Sequence, residues 1–463
     1  MQVVFTQKIA VAITGILIGW SILLMTKIFI MSGRFGDISY NKTIAVFIFC
    51  MLLTTAIRLF DFRVLNKIGW NILMVYHTIM CFLLFYGSHI ESDFKKIKEE
   101  MFVLLKIFVY LPTFLSVLGV FIAIFSNQIN MKNQAIGIKS HRLVGVYSNS
   151  NVLGFFCVLS IISSLILIRE RKKMLKTHKT PTAWFLIVCI FFNSISLFLS
   201  DSNGALLFLI IYFISMFFCG IIRNNKTKKS KLKLIFLLLL CVTLVFVSLA
   251  VRGTIQNAFN ITVKLLHFRN FSTTSAIEIG RGNYEITSGR NILLQQGFKL
   301  FKKFPVLGVG AKNLTEYAKI YLTDKLDCED LHNGYLTILV SWGGMGFTVF
   351  AFFTCLMIIC LCRTLFNRRD KNDYKIYSNI FSLVVAYAVY SLVEVTLLSS
   401  VSFRCAFFWT ILGYAMCYVN EMDECSNGVV EKRNGMTIQW KRAVKLKSAN
   451  VKRSQKAAKY LKS

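Results

Sequence analysis

Apolar runs about 20 residues long recur down the 463-residue chain, near 9–31, 43–60, 68–88, 101–125, 151–168, 182–199, 204–222, 232–250, 333–362, 376–399 and 402–419. A helix needs about that length to cross the hydrocarbon core of a bilayer, and soluble chains rarely repeat such runs. Alternating strand patterns are absent, so the backbone in lipid is expected to be satisfied within helices, not around a barrel. The hydrophobic share is 55% and only three residues are proline. The expected fold class is therefore all-α: a polytopic integral membrane protein of about 11 (10–12) transmembrane helices. The first run is too long for a signal-peptide core and lacks a small-residue cleavage site, so it is expected to stay as a helix.

Charge then orients the spans. Lys and Arg number 54 against 22 Asp and Glu, a formal net charge of +32. In a soluble chain that excess would suggest nucleic acid. Here the basic residues cluster in short connections between apolar runs, as the positive-inside rule requires, and no nucleic-acid partner is expected. The connections 169–179, 223–233 and 363–375 are all basic and are expected in the cytoplasm. That puts 126–150, the short 201–204 turn and the long 251–331 loop on the outer side. The same parity puts the N-terminus outside, although the loops 32–42 and 61–67 carry similar charge. From Lys432 the tail holds eleven Lys or Arg and no acid. It reads as a solvated extension that touches anionic lipid, at about 1 kcal/mol per basic residue. The expected divisions are 1–125 (N-terminal helices), 126–362 (a core with the outer loop), 363–419 (C-terminal helices) and 420–463 (basic cytoplasmic tail).

Thirteen cysteines do not make a disulfide framework. Nearly all lie in apolar runs, among them Cys157, Cys189, Cys241, Cys355 and Cys360, and Cys328 stands alone in the long loop. There cysteine acts as a small hydrophobe, and no Cys/His spacing suggests zinc. Of the charges within spans, Lys106, Arg58, Arg404 and His77 lie close enough to a run's end to snorkel. Glu394 lies deeper, in Y-S-L-V-E-V-T-L-L. It is either a functional intramembrane carboxylate or a polar contact between two helices.

Four polar features fall on the outer side. The first, Arg142 to Asn151 (R-L-V-G-V-Y-S-N-S-N), reads on its own as a turn with Asn151 capping the next helix. The second, Ser200 to Gly204 (S-D-S-N-G), reads as a hairpin between two spans. The third runs from Thr287 to Gly310. Ser288 can cap a helix with Leu294, Phe298 and Phe301 on one face and Lys299, Lys302 and Lys303 around the other, fit to lie in the headgroup layer. Pro305, Gly308 and Gly310 end it. Arg290, in its first turn, could grip a phosphate. The fourth, His332 to Gly346 (H-N-G-Y-L-T-I-L-V-S-W-G-G-M-G), opens a span. Taken alone, its histidine reads as an interfacial polar residue and Gly343, Gly344 and Gly346 as a helix-packing surface.

Together, in this order, the four features resemble the O-antigen ligase and polysaccharide polymerase family of bacterial envelopes. His332 and Asn333, then Gly343 to Gly346, fit its pattern of His, a polar residue, nine residues and G-x-x-G. Arg290 with Pro305, Gly308 and Gly310 fits its arginine ahead of P-x-x-G-x-G. Arg142, Gly145, Tyr147, Asn149 and Asn151 fit R-x-x-G-x-[FY]-x-N-x-N. The resemblance covers roughly 140–350. It implies an inverting membrane glycosyltransferase that moves an oligosaccharide from a polyprenyl diphosphate to an acceptor hydroxyl outside the membrane. It implies no nucleotide sugar, cofactor or metal. Localisation would be the bacterial inner membrane with an outward active site, beside other polysaccharide assembly proteins.

By that resemblance Arg290 stabilises the departing diphosphate and His332 removes the acceptor's proton, with the loop acids Glu278, Glu285, Glu316, Asp324, Asp327, Glu329 and Asp330 as alternative bases. Asn333, Arg142, Asn151 and Asn203 are candidate substrate contacts, and the glycines would let neighbouring helices approach below the site. One departure stands out. Family members commonly carry Ser-Arg-Gly at the outer hairpin, where this chain has Ser202-Asn203-Gly204. Either fewer cations hold the donor, or Arg252, Arg269 or Arg281 supplies the missing one. Polymerase and ligase differ only in acceptor, and polymerisation of repeat units is the favoured expectation. A flippase or other transporter is the reading from another class; it would call for charges along a central path and an internal repeat, and only Glu394 fits.

Overall fold

The apolar runs fold as helices. The computed structural model describes residues 23, 41–61, 64, 67–90, 94–126, 128–131, 134–174, 181–223, 250–265, 279, 290–322, 330–367, 371–398 and 402–426. The helices are α1 (Asn41–Leu59), α2 (Ile68–Ile90), α3 (Phe94–Ser126), α4 (Ser150–Met174), α5 (Ala183–Ser200), α6 (Asn203–Arg223), α7 (250–265), α8 (Arg290–Lys303), α9 (Leu314–Tyr321), α10 (Gly334–Asn367), α11 (Lys371–Tyr390) and α12 (Phe403–Ser426). Seven of them, α1 to α6 and α10, are long and apolar enough to cross a membrane. The expected spans near 9–31 and 232–250 lie largely outside the described residues, as do the N-terminal parity, Ser288 and the basic tail.

The bundle is polytopic and mostly helical, as expected. Large apolar side chains such as Phe49, Trp70, Phe114, Trp184, Phe191 and Phe352 are exposed on its flanks, which only a lipid solvent makes favourable. Inside, α4 packs against α3, α5 and α6, α11 against α6 and α12, and α12 against α2. Aromatic edges fill the joints: Phe82 meets Trp409 at 4.7 Å and Phe47 meets Trp342 at 5.4 Å. In a second joint Phe155 lies 5.7 Å from Tyr390 and 5.8 Å from Phe208, locking α4, α6 and α11 together beneath the polar end.

Several expectations need correction. The 126–150 connection is not an irregular loop. It holds an antiparallel sheet, β1 (Gln128–Met131), β2 (Gln134–Lys139) and β3 (Arg142–Gly145), in the order β1-β2-β3. Ser140 and His141 join β2 to β3, both left-handed with φ of 51° and 57°. Such a pair closes a two-residue hairpin whose twist matches the strands.

The expected 376–399 span is shorter than its apolar run. Helix α11 stops at Tyr390, and residues 391–394 form a turn. Glu394 is thus outside any helix, at the end of the bundle, and not buried midway along a span.

Gly343 and Gly344 of α10 are not a helix-packing surface but part of a joint with the loop after α8. Gly343 is non-helical, with φ 65° and ψ −173°, and breaks α10 into two segments. The opened backbone pairs with the loop after α8: Val309 and Gly310 N–H groups donate to Val340 and Ser341 carbonyls at 3.0 and 2.8 Å. In return Gly344 N–H donates to the Pro305 carbonyl at 2.7 Å and Met345 N–H to Val306 at 3.2 Å. A Cβ on Gly343 would sit 2.1 Å from the Val306 carbonyl oxygen, so this contact requires glycine. The two glycine motifs, widely separated in sequence, are the two halves of one joint. Arg58 does not snorkel either; its guanidinium lies 4.9 Å over Phe304 and its Nε donates to the Gly308 carbonyl at 3.1 Å, pinning that loop to α1.

Helix α8 forms where expected but turns a different face inward. Gln296, Gly297 and Leu300 are buried, Leu294 and Phe301 are partly buried, and Phe298 is exposed. Gly297 decides this, because the bare backbone there rests on the side chains of Leu331 and Leu336.

Candidate functional site

The ends of α4, α5, α10, α11 and α12 meet β3 and the starts of α6 and α8 at one end of the bundle. The local chain fixes the first residues there. Asn149, not Asn151, caps α4: its Oδ1 accepts from Val152 N–H at 2.8 Å. Asn151 is therefore free of capping duty and sits in the first helical turn. Its Nδ2 donates to Glu394 Oε1 at 2.8 Å, and its Oδ1 accepts from Arg142 Nη2 at 2.8 Å and from Ser202 Oγ at 3.3 Å.

Arg142, delivered by the Ser140-His141 turn, spans the gap to the α5–α6 hairpin. Its Nε donates to the Ser200 carbonyl at 2.9 Å and its Nη2 to the Asp201 carbonyl at 3.0 Å. That hairpin turns through Asp201, left-handed at φ 51°. Helix α7 then brings Arg252 onto it, with Nη1 2.6 Å from Asp201 Oδ1 and 2.7 Å from Asn203 Oδ1. A guanidinium thus lies beside Asn203, carried by another helix.

The other half centres on Glu394, whose side chain is 5% exposed. Arg290 Nη2 lies 3.2 Å from its Oε1 and Arg404 Nη1 lies 3.2 Å from its Oε2. Arg404 does not snorkel; it turns inward. His332 joins through Nδ1, 3.8 Å from Glu394 Oε1 and 3.6 Å from Asp330 Oδ1. His332 is held left-handed at φ 47°, with its backbone N–H donating to Asp330 Oδ1 at 3.0 Å. A left-handed non-glycine residue, kept so by its surroundings, is a mark of functional sites.

Among the described residues, four guanidiniums (Arg142, Arg252, Arg290, Arg404) and three carboxylates (Asp201, Asp330, Glu394) meet here, an excess of one cation before His332 is counted. Desolvated carboxylates are tolerated because each is paired. Arg290 keeps more than a quarter of its side chain exposed, so it is the cation best placed to exchange a carboxylate for an incoming anion.

Of the sequence candidates, Arg142, Asn151, Asn203, Arg252, Arg290 and His332 are brought together, directly or through one intermediary. Asn333 is beside them but caps α10, its Oδ1 accepting from Leu336 N–H at 2.9 Å. Arg281 and Arg269 lie outside the described residues, as do Glu278, Glu285, Asp324, Asp327 and Glu329. Glu316 lies elsewhere, paired with Lys67 and Lys319, and Asp330 is the loop acid next to His332. Tyr147 stacks on Phe156 at 5.4 Å, and burial pushes its phenol well above the ordinary range. The sequence names both Glu394 and Arg404 but does not pair them; the signal was an acid late in one apolar run and a base at the start of the next.

Residues 185–351 match the family described as O-antigen ligase. The match spans a little over a third of the chain, taking in Asn203, Arg252, Arg290, His332 and the joined glycines, and leaving out Arg142, Asn151, Glu394 and Arg404. It supports a membrane glycosyltransferase of the O-antigen ligase and polymerase type in general. No curated protein sequence matches the chain.

Proposed function

We propose that this chain transfers an oligosaccharide from a polyprenyl diphosphate to an acceptor hydroxyl on the outer side of the membrane, polymerising surface polysaccharide repeat units. The observation that carries the proposal is the convergence of His332 and Arg290 on one carboxylate at one end of a membrane bundle. A base and an exposed guanidinium at the level where a headgroup lies suit displacement at a sugar carbon with a diphosphate leaving group. Arg223 stacks over Tyr374 at the opposite ends of α6 and α11, among the basic connections expected in the cytoplasm, which supports the outward assignment.

In the proposed step the acceptor oxygen attacks the anomeric carbon while the bond to the diphosphate oxygen breaks, inverting that centre. The acceptor's proton passes to His332, whose Nδ1 faces the carboxylates and whose Nε2 is left for this task. The diphosphate departs with its electron pair, and Arg290 stabilises the charge as it develops. Arg252, between Asp201 and Asn203, takes the place of the hairpin arginine and holds the donor's second phosphate. No cofactor or metal is invoked. The donor and the acceptor hydroxyl are the partners, with membrane lipid around them.

The test is to purify His332→Ala and Arg290→Ala proteins and follow chain growth on a lipid-linked donor. Loss of at least 100-fold in each is expected, and full activity of both at normal expression overturns the assignment. Ligase-type transfer to a lipid, wall or protein acceptor would use the same residues. Gene deletion separates the two: loss of long chains on the lipid carrier marks a polymerase, and their accumulation there marks a ligase.

A further inference from the structure

Two residues at the centre of the cluster lie beyond the family match and are not used in the proposed step. Glu394 sits in the turn after α11, and Arg404 in the first turn of α12. We propose that Glu394 is the positioning residue of this site, fixed by Arg404, and that its Oε1 sets the proton position of His332 and the place of Arg290. The proposal rests on His332 being the base.

The backbone ties Glu394 to His332 before any side chain is considered. Gly334, two residues after the histidine, donates its N–H to the Ser391 carbonyl at 2.7 Å. A Cβ on Gly334 would lie 3.2 Å from that oxygen and 3.4 Å from the Glu394 carbonyl oxygen, so the two strands of chain touch. The turn is itself rigid: Glu394 N–H donates to the Tyr390 carbonyl at 3.0 Å, and the Ser391 and Thr396 hydroxyls lie 2.6 Å apart.

The two carboxylate oxygens do different work. Oε2 meets Arg404, which is 14% exposed and whose carbonyl accepts from Tyr387 Oη at 3.1 Å. Arg404 is thus fixed at both ends and has no freedom to meet substrate. Oε1 is shared by Arg290, Asn151 and His332, the groups that face the open side. An ion pair serving stability alone would leave no reason to share its second oxygen among candidate reactive groups. At 3.8 Å the contact with Nδ1 is electrostatic and not a hydrogen bond. Together with Asp330 Oδ1 at 3.6 Å it favours the tautomer with the proton on Nδ1, leaving Nε2 as the base.

Among the described residues, the groups facing His332 are Asp330 from its own segment and Glu394 from the α11–α12 turn. Through Glu394 it also feels Arg290 from α8 and Arg404 from α12, and Tyr390 of α11 lies beside that pair. Glu394 is the group that reaches His332, Arg290 and Asn151 at once, so losing its charge disturbs the placement of all three.

The experiment compares Glu394→Gln, Glu394→Asp, Arg404→Gln, Arg404→Lys and His332→Ala as full-length purified proteins on a lipid-linked oligosaccharide donor. Glu394→Gln is expected to lower kcat about 100-fold and to change donor KM less than about threefold. Glu394→Asp and Arg404→Lys should recover part of the loss that Glu394→Gln and Arg404→Gln cause. If Glu394→Gln fails to fold, the double variant Glu394→Gln/Arg404→Gln, which strands neither charge, carries the same test. Wild-type kcat in Glu394→Gln overturns the proposal, as does a loss of rate with no recovery by aspartate or with an equal rise in donor KM. Full activity of His332→Ala instead overturns the reading of the base, and so separates the two failures.

Discussion

Under the proposed function, Arg252 fills a functional position without occupying the sequence position. Its guanidinium rests on Asp201 and Asn203, in the hairpin where the resemblance calls for an arginine. A charge-assisted hydrogen bond to a phosphate contributes about 1.5–3 kcal/mol. Arg252→Ala should therefore raise the donor KM by roughly 10- to 100-fold, with Arg252→Lys intermediate. Adding Asn203→Arg to Arg252→Ala should recover most of the loss, since the charge then returns by the other route. Steady-state kinetics on the lipid-linked donor would check both, and an unaltered KM in Arg252→Ala removes it from the site. At this scale the sequence was a partial guide. His332, Arg290, Arg142 and Asn151 were legible because motif spacing pointed to them. The partner of Asn151 was not, because Glu394 lies 243 residues away and only the folded chain joins them. Asn333 was read as a substrate contact, yet its carboxamide oxygen caps α10.

At the scale of elements, the joint between α10 and the loop after α8 is where a single atom should matter most. Gly343 occupies backbone space that is essentially glycine's alone, and its contact with Val306 leaves no room for Cβ. Gly343→Ala should cost about 3 kcal/mol or more. Gly220, in α6 with nothing near its Cβ position, should gain about 0.5–1 kcal/mol on Gly220→Ala. Thermal unfolding in detergent would show the first falling and the second holding or rising. Equal behaviour would mean that the break in α10 is not structural. A second element-level device is the polar knot of α3, α4 and α5. Asn193 Nδ2 donates to Thr113 Oγ1 at 2.7 Å, Ser160 Oγ at 3.1 Å and the Cys189 carbonyl at 2.8 Å, while Ser116 Oγ donates to Asn193 Oδ1 at 3.2 Å. Interhelical hydrogen bonds in membranes contribute about 0.6–1.7 kcal/mol each, so Asn193→Leu should lower stability by about 1–3 kcal/mol with kcat unchanged. The helices were legible because hydrophobic length is a local property. The small sheet was not, because its turn is Ser140-His141 and not the Asn-Gly that announces such a hairpin. The break at Gly343 was invisible for a similar reason: glycine in an apolar run reads equally as packing, and only the loop that meets it decides.

For the whole molecule, the checkable claim is which side the polar end faces. Lys139, exposed on the sheet at that end, offers a position clear of the cluster. In a background without native cysteines, Lys139→Cys should react with a membrane-impermeant maleimide added to intact cells. A cysteine replacing Arg363, near the opposite end of α10, should react only after the membrane is opened. The reverse pattern would invert the topology and end the proposed outward chemistry.

The cluster also draws on segments from Arg142 to Arg404, so most of the protein must be in place before it exists. Chains enter the membrane from the N-terminus as they are synthesised. A ribosome that stops after α10 would release a product holding the complete family-matched segment and none of Glu394, Arg404 or the helices that carry them. Such a fragment would have its histidine and its phosphate-facing arginine but nothing to gather them. Under the proposed chemistry, unfinished copies are silent by construction, and the lipid carrier is exposed only to transferases whose synthesis has run through α12.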